Sequence, residues 1–210
     1  MATRSIIVVS GGLRSPSSTR ILADQLGDAS RAALAGDAPG DDVILGTIEL
    51  RDHAHAITDA LLTGFPTGAL RDGLADLLAA DALVVVTPTF QGSYSGLFKS
   101  FFDLVEAGSI RGLPVLLAAT GGTERHSLVI EHALRPMFSY LGALTVPTGV
   151  YAATADFGGD GTPALAGRIE RAARELAGLV HGRATRPPVE EVVPFDVLLR
   201  AGGDPPRGGA

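Results

Sequence analysis

The residues with the clearest chemical use lie near the start of the chain, where Ser10, Arg14, Ser15, Ser17, Ser18 and Thr19 crowd into one short stretch. Hydroxyls donate hydrogen bonds to anionic oxygens, and a guanidinium adds charge-assisted, bidentate contacts, so this set suits a phosphate. The stretch follows an apolar run, residues 6–9, and precedes Leu22, Leu26, Ala29 and Ala33, which mark one face of a helix. It therefore sits at a helix N-terminus, where unpaired N–H groups and the helix dipole favour an anion. A helix cap by itself needs one hydroxyl, and this stretch offers several with an arginine. Neither a G-x-G-x-x-G fingerprint nor the Gly-Lys-Ser/Thr of a P-loop is present, which points to a mononucleotide-like phosphate.

Two further loops carry small, polar and flexible residues. In "TPTFQGSYSGLFKSFFD", residues 87–103, a strand is predicted to end at Thr87, with Pro88 turning the chain. Gly92 and Gly96 allow close backbone approach to a ligand. Phe90 and Tyr94 suit the plane of a flat heterocycle or, as ordinary turn aromatics, a cover for the core. In "ATGGTERHS", residues 119–127, paired glycines bring backbone N–H groups towards a ligand's carbonyls or ring nitrogens. Arg125 and His126 close that loop and face either a second, charged substrate or solvent.

A scaffold must bring these loops together. Five apolar runs, residues 6–9, 43–50, 82–87, 114–119 and 144–151, read as strands buried on both faces of a parallel sheet. Helical periods follow the first loop and recur over 69–80, 96–107, 127–142 and 164–181. The alternation predicts an α/β fold, a doubly wound five-stranded parallel sheet with helices on both faces. Ligands of such sheets lie at the carboxyl ends of the strands, where strand order reverses, and the three loops fall there. The helix over 127–142 is apolar nearly all round, with Leu128, Val129, Ile130, Leu134, Met137, Phe138 and Leu141, which predicts a subunit contact. Inside it, Pro136 lacks the N–H that would bond the carbonyl of His132, so a kink or bulge is expected.

The 210 residues suit one domain over 1–182 and a Pro- and Gly-rich arm over 183–210 that reads as partly disordered, with an apolar island at 192–199. A net charge of −6 argues against nucleic acid or an anionic membrane as the main partner. The absence of cysteine excludes disulfides, thiolate metal sites and a thiol nucleophile. No apolar run nears the roughly 20 residues that span a bilayer. No leader precedes the first strand, so a soluble, cytoplasmic protein is expected. His53 and His55 have no evident third ligand, and no metal site is expected there. The single lysine, Lys99, is expected in solvent.

In their order and spacing, "SGGLRSPSSTRILAD", "ADALVVVTPTFQGSYSGLFKSFFDLV" and "LLAATGGTERHSLVIEHALRPMFSYLGA" resemble the NAD(P)H-dependent FMN reductases of flavodoxin-like fold, over roughly residues 5–181. The chain is most similar to the branch that serves flavin-dependent monooxygenases of alkanesulfonates and methanesulfonate. The resemblance implies that Ser10, Arg14, Ser17, Ser18 and Thr19, with Ser15 beside them, hold the FMN phosphate. It implies that Pro88, Thr89, Phe90, Gln91 and Tyr94, with Thr120, Gly121, Gly122 and Thr123, frame the isoalloxazine. It further implies NADPH or NADH as reductant and hydride transfer from nicotinamide C4 to flavin N5 without a catalytic side chain. A homodimer or homotetramer and an FMNH2-dependent monooxygenase as partner belong to the same expectation. In that branch the fourth helix carries a π-type bulge at an interface near the flavin, where His132 is expected either to tune flavin retention or merely to pack. Two rivals stay open: an FMN-retaining reductase of quinones, azo dyes or chromate, and a flavin-binding electron carrier without nicotinamide turnover.

Overall fold

Alternate residues of each apolar run face opposite sides of one sheet, and helices cover both sides. The computed structural model describes residues 3–37, 42–158 and 162–182. In chain order the elements are β1 (Thr3–Ser10), α1 (Ser18–Asp37), β2 (Asp42–Glu49), a 3-10 turn (Leu50–His53), α2 (Ala54–Thr63) and α3 (Gly68–Ala79). There follow β3 (Ala82–Phe90), β4 (Ser93–Tyr94), α4 (Gly96–Phe102), β5 (Pro114–Gly121) and a π-helical turn (Ile130–Leu134) that runs into α5 (Arg135–Tyr140). The last elements are β6 (Leu144–Thr145), β7 (Val150–Ala153) and α6 (Pro163–His181). The arm over 183–210 and its apolar island lie outside the described residues.

β2, β1, β3, β5 and β6 stand side by side in that order, all parallel, which is the flavodoxin-like arrangement. Ile6 and Val8 face α1 and α6 together with Val84, Leu116 and Ala172. Ile7 and Val9 face the other layer with Leu83, Leu117, Phe98 and Leu134. Burial on both faces is why these strands read as unbroken apolar runs. Among the described residues no helix is long and apolar enough to cross a membrane, and no group of three metal-ligating side chains gathers.

Four local features depart from the sequence expectations. The fifth strand is two short ones, because Pro147 has no N–H for the ladder. β6 pairs with the start of β5 and β7 with its end. Arg135 bridges the gap between them, donating to Thr145 Oγ1 and Val146 O at 2.9 Å each. β3 does not end at Thr87 but continues to Phe90, since β1 has already stopped opposite Val86 and Pro88 stands beside β5 alone. It then folds back into β4 through Gln91 (φ 49°) and Gly92 (φ 78°), a two-residue hairpin with both turn residues left-handed. α4 stops at Phe102, short of Ala107. α2 is additional; it buries only Ile57 and Ala60, too few to write a helical period around two histidines.

The expected bulge is present. The Arg135 N–H bonds the carbonyl of Ile130, five residues back, and Pro136 then enters the first turn of α5, where a missing N–H is harmless. Val129, Ile130, Leu134, Phe138 and Leu141 pack inward, while Leu128, His132, Pro136 and Tyr140 form an exposed stripe.

Candidate active site

The three loops meet at the carboxyl ends of β1, β3 and β5 and enclose a cleft of about 520 Å³. Arg14, Ser17, Ser18 and Thr19 line it from the first loop, Pro88, Thr89 and Phe90 from the second, and Thr120, Gly121 and Gly122 from the third.

At the first loop, α1 is 20 residues long and has no acidic residue in its first turn, so nothing opposes its dipole. Ser17 caps it: Ser17 Oγ accepts from the Arg20 N–H at 3.3 Å. The Ser17 proton, the Ser18 hydroxyl and the first N–H groups of the helix remain for a ligand. Arg14 is exposed at the cleft, and Arg51 Nη1 holds its carbonyl at 3.2 Å. Arg20 and Arg51 both lean on Glu49, which leaves Arg14 as the cation of this trio without a carboxylate partner among the described residues. Ser10 shares the inward side of Ile6 and Val8; it is fully buried, and its hydroxyl has no partner among the described residues. Ser15 is exposed and joined to Pro16 by a cis peptide bond. Neither Ser10 nor Ser15 lines the cleft. Gly12, which no motif singles out, passes so close behind the cap that a Cβ there would lie 2.2 Å from Ser17 Oγ.

Thr19 is turned inward, and its hydroxyl shares a 2.7 Å hydrogen bond with that of Thr120. Both residues are buried, so this bond ties the first loop to the third. Thr19→Val or Thr120→Val alone strands one hydroxyl and is expected to destabilise by about 1–3 kcal/mol, while the double variant regains most of it. Urea denaturation of the three variants measures this coupling; purely additive losses would remove the bond from the account.

The second loop is fixed from behind. Thr87 Oγ1 accepts from the Ser95 N–H at 3.0 Å, and Ser95 Oγ caps α4 by accepting from the Phe98 N–H at 3.2 Å. Phe98, Phe102 and Phe138 pack ring on ring, with centroids 4.8 and 4.9 Å apart. Tyr94 joins this group, 6.1 Å from Phe98, and is partly buried against the core instead of lining the cleft. Phe90 is half-exposed at the cleft, and Gln91 occupies the exposed hairpin tip. Thr89 Oγ1 is buried without a hydrogen bond of good geometry.

The third loop leans on a residue that no sequence motif singles out. Tyr151, on β7, donates from Oη to the carbonyl of Thr123 at 2.8 Å, and Arg168 Nη2 donates to the Tyr151 carbonyl at 3.3 Å. Burial pushes the Tyr151 phenol upward in pKa, against the opposing effect of the Thr89 hydroxyl. A Cβ on Gly121 would lie 2.0 Å from Tyr151 Oη, so glycine there is a steric requirement. Arg125 and His126 are exposed on the 3-10 turn Glu124–His126 and do not line the cleft. His132 is exposed on the π-helical turn. Beside it, Arg135 holds the Glu131 carboxyl below its usual range.

Among the described residues the cleft is lined by hydroxyls, glycine backbone, the apolar side chains of Leu13, Pro16, Pro88 and Phe90 and one cation, with no carboxylate, histidine or lysine. Such a wall can bind and position a flat, anionic ligand. The family model of the NADPH-dependent FMN reductases matches residues 4–158. The FMN reductase (NADPH) of Pseudomonas aeruginosa is 41% identical over 181 residues, 85% of this chain and 94% of that protein. The NADH-dependent FMN reductase SfnF of Pseudomonas fluorescens is 42% identical over 152 residues, 72% of this chain and 78% of its own. An oxidoreductase from Corynebacterium diphtheriae matches in structure with a TM-score of 0.82 at 44% identity, covering 88% of this chain and all of that one. The matched region takes in the parallel sheet and all three cleft loops, and the chain belongs to the NADPH-dependent FMN reductase family.

Proposed function

We propose that the protein reduces FMN with NADPH or NADH and hands the reduced flavin to a separate FMNH2-dependent monooxygenase. The observation that carries the flavin reading is a cleft with an anion site at one end, at the N-terminus of α1, and glycine backbone with small hydroxyls at the other. That donor set fits FMN: Arg14, Ser17, Ser18 and the first N–H groups of α1 would hold the phosphate. Thr89, Phe90, Thr120, Gly121 and Gly122 would border the ring. Pro88, Gln91, Tyr94 and Thr123 shape the two loops, while Ser10, Ser15 and Thr19 belong to the frame of the first. Bound FMN supplies the hydride acceptor for the nicotinamide. The chain's part is to orient the ring and leave one side accessible, which the half-exposed Phe90 edge of the cleft allows.

Arg14→Ala tests the phosphate assignment. FMN affinity should fall by about 10- to 100-fold, while riboflavin, which lacks the phosphate, should bind as before. Fluorescence titration with both flavins reads this, and an equal loss for the two would refute the assignment. NADPH or NADH oxidation that saturates with free FMN supports the exchangeable flavin. Turnover that needs an added quinone or dye supports the retaining rival.

The exposed stripe of Leu128, His132, Pro136 and Tyr140 is where we place a homodimer or homotetramer contact. Tyr140→Glu should then lower the mass measured by sedimentation, and an unchanged mass would remove this face from the assembly.

A further inference from the structure

The loop that carries Arg14 rests on a single tether. Leu13, Arg14, Ser15 and Pro16 are all exposed. Before them, Gly11 donates its N–H to the carbonyl of Val86 at 2.8 Å, and after them Ser17 caps α1. Between these two anchors, one hydrogen bond reaches the loop from elsewhere among the described residues: Arg51 Nη1 donates to the carbonyl of Arg14 at 3.2 Å. The residue held in this way is the one whose guanidinium lines the cleft.

β2 delivers Arg51 to that place. Glu49, its last residue, stands beside Ser10, the last residue of β1, so both strands end where the loop begins. Leu50 follows and is fully buried, which fixes the 3-10 turn Leu50–His53 to the core. The Glu49 carboxylate is only 15% exposed and faces two guanidinia. Its Oε1 accepts from Nη1 of Arg20, in the first turn of α1, and its Oε2 lies 3.8 Å from Arg51 Nε. One carboxylate thus joins the helix that follows the loop to the arginine that holds the middle of it. Arg51 also has Asp52 at 3.4 Å, an exposed pair that adds little strength but further offsets its charge. With carboxylates on hand, Arg51 is poorly suited to attract an anion itself; what it offers the loop is a rigid, directed fork of donors.

We propose that Arg51 is a positioning residue for the flavin phosphate. It holds the Arg14 carbonyl and thereby keeps the Arg14 side chain at the cleft, while Glu49 orients Arg51. The tether is a matter of protein geometry, whereas its service to FMN rests on the flavin binding proposed above. Arg51 acts through Arg14 and has no contact of its own with the flavin, so its effect must vanish when the Arg14 guanidinium is absent.

Arg51→Met keeps the apolar stem and removes the fork, and Glu49→Gln keeps an acceptor while removing the charge. Trypsin reads the tether without any flavin, because the bond it cuts in this exposed loop follows Arg14, whose carbonyl Arg51 holds. Cleavage between Arg14 and Ser15, followed by the mass of the released fragment, should be about tenfold faster in Arg51→Met than in the unaltered protein. Fluorescence titration reads the ligand. FMN should bind about tenfold more weakly to Arg51→Met and about threefold more weakly to Glu49→Gln, with riboflavin unchanged in both. In an Arg14→Ala background, Arg51→Met should cost less than about twofold further. Unchanged cleavage after Arg14 overturns the tether. An equal loss for FMN and riboflavin, or a full tenfold loss that persists in the Arg14→Ala background, overturns the positioning role, the second by making Arg51 a phosphate ligand in its own right. Tighter FMN binding by Glu49→Gln removes Glu49 from the proposal, since the carboxylate would then act only by opposing the phosphate charge. Faster cleavage in Arg51→Met, in a protein that binds neither flavin, leaves the tether and overturns the flavin reading together with the role built on it.

Discussion

Gly121→Ala is expected to destabilise the protein by about 1–3 kcal/mol and to weaken FMN binding by more than about tenfold. The new Cβ would lie 2.0 Å from Tyr151 Oη, 3.1 Å from Tyr151 Cζ and 3.7 Å from Thr89 Cβ. Tyr151 is buried within the core cluster that holds Leu117 and Phe138, so its ring has little room to retreat. Relief must come from breaking the bond to the Thr123 carbonyl and shifting the loop that borders the cleft. The backbone at 121 is not left-handed, so the effect is one of space alone. That gives a sharp second measurement. Tyr151→Phe in the natural background loses one hydrogen bond, at about 1 kcal/mol. In the Gly121→Ala background the same change removes the 2.0 Å clash and should raise the melting temperature. A cycle in which Tyr151→Phe destabilises equally in both backgrounds would show that the two residues do not collide.

Gly12→Ala should be the most damaging single change for FMN binding, with a smaller effect on stability. Its Cβ would stand 2.2 Å from Ser17 Oγ, 3.2 Å from Ser17 Cβ and 3.3 Å from Thr19 Cβ. The Ser17 hydroxyl can rotate away, but doing so breaks its cap on the Arg20 N–H, a loss of about 1 kcal/mol. The two Cβ contacts have no such escape, so the first turn of α1 must move. That turn carries the N–H groups and hydroxyls assigned to the phosphate, and through Thr19 it is bonded to Thr120. Gly12→Ala with Ser17→Ala should recover part of the lost melting temperature, yet FMN should still bind poorly, and riboflavin should suffer less than FMN. An FMN affinity within about twofold of the unaltered protein would falsify the close packing of Gly12 behind the cap.

The contrast between these two glycines and the motif residues shows what was readable beforehand. The central strands were legible because a parallel sheet buried on both sides leaves unbroken apolar runs, as in β3 and β5. The site's location followed from the same pattern, since the loops after β1, β3 and β5 had to share one end of the sheet. Individual roles were less legible. Counting hydroxyls could not tell Ser18, exposed at the cleft, from Thr19, which is buried at its wall and bonded to Thr120. Ser10 was counted with the phosphate hydroxyls, although alternation along β1 puts it on the buried side of Ile6 and Val8. Tyr151 lies 28 residues from the carbonyl it holds, and no local spacing records such a contact. The hairpin tip was hidden because Gln91 takes a left-handed conformation usually signalled by Gly, Asn or Asp.

β2 has a consequence of another kind. It is paired along its whole length with β1, Thr3 to Ser10 against Asp42 to Glu49, and lies at the outer end of the strand order. Between its terminal carboxylates the sequence VILGTI carries no charge and no proline, and Ile44 is 54% exposed. Native sheets usually blunt such an edge with lysine, proline or a bulge, because unpaired backbone groups invite another strand. Here the blunting is left to Asp42 and Glu49, and Glu49 is already engaged by Arg20 and Arg51. Among the described residues, the edge of the sheet farthest from β6 and β7 is therefore where aggregation in concentrated or heat-stressed solution is expected to begin, apart from any ordered contact through the stripe of Leu128 and Tyr140.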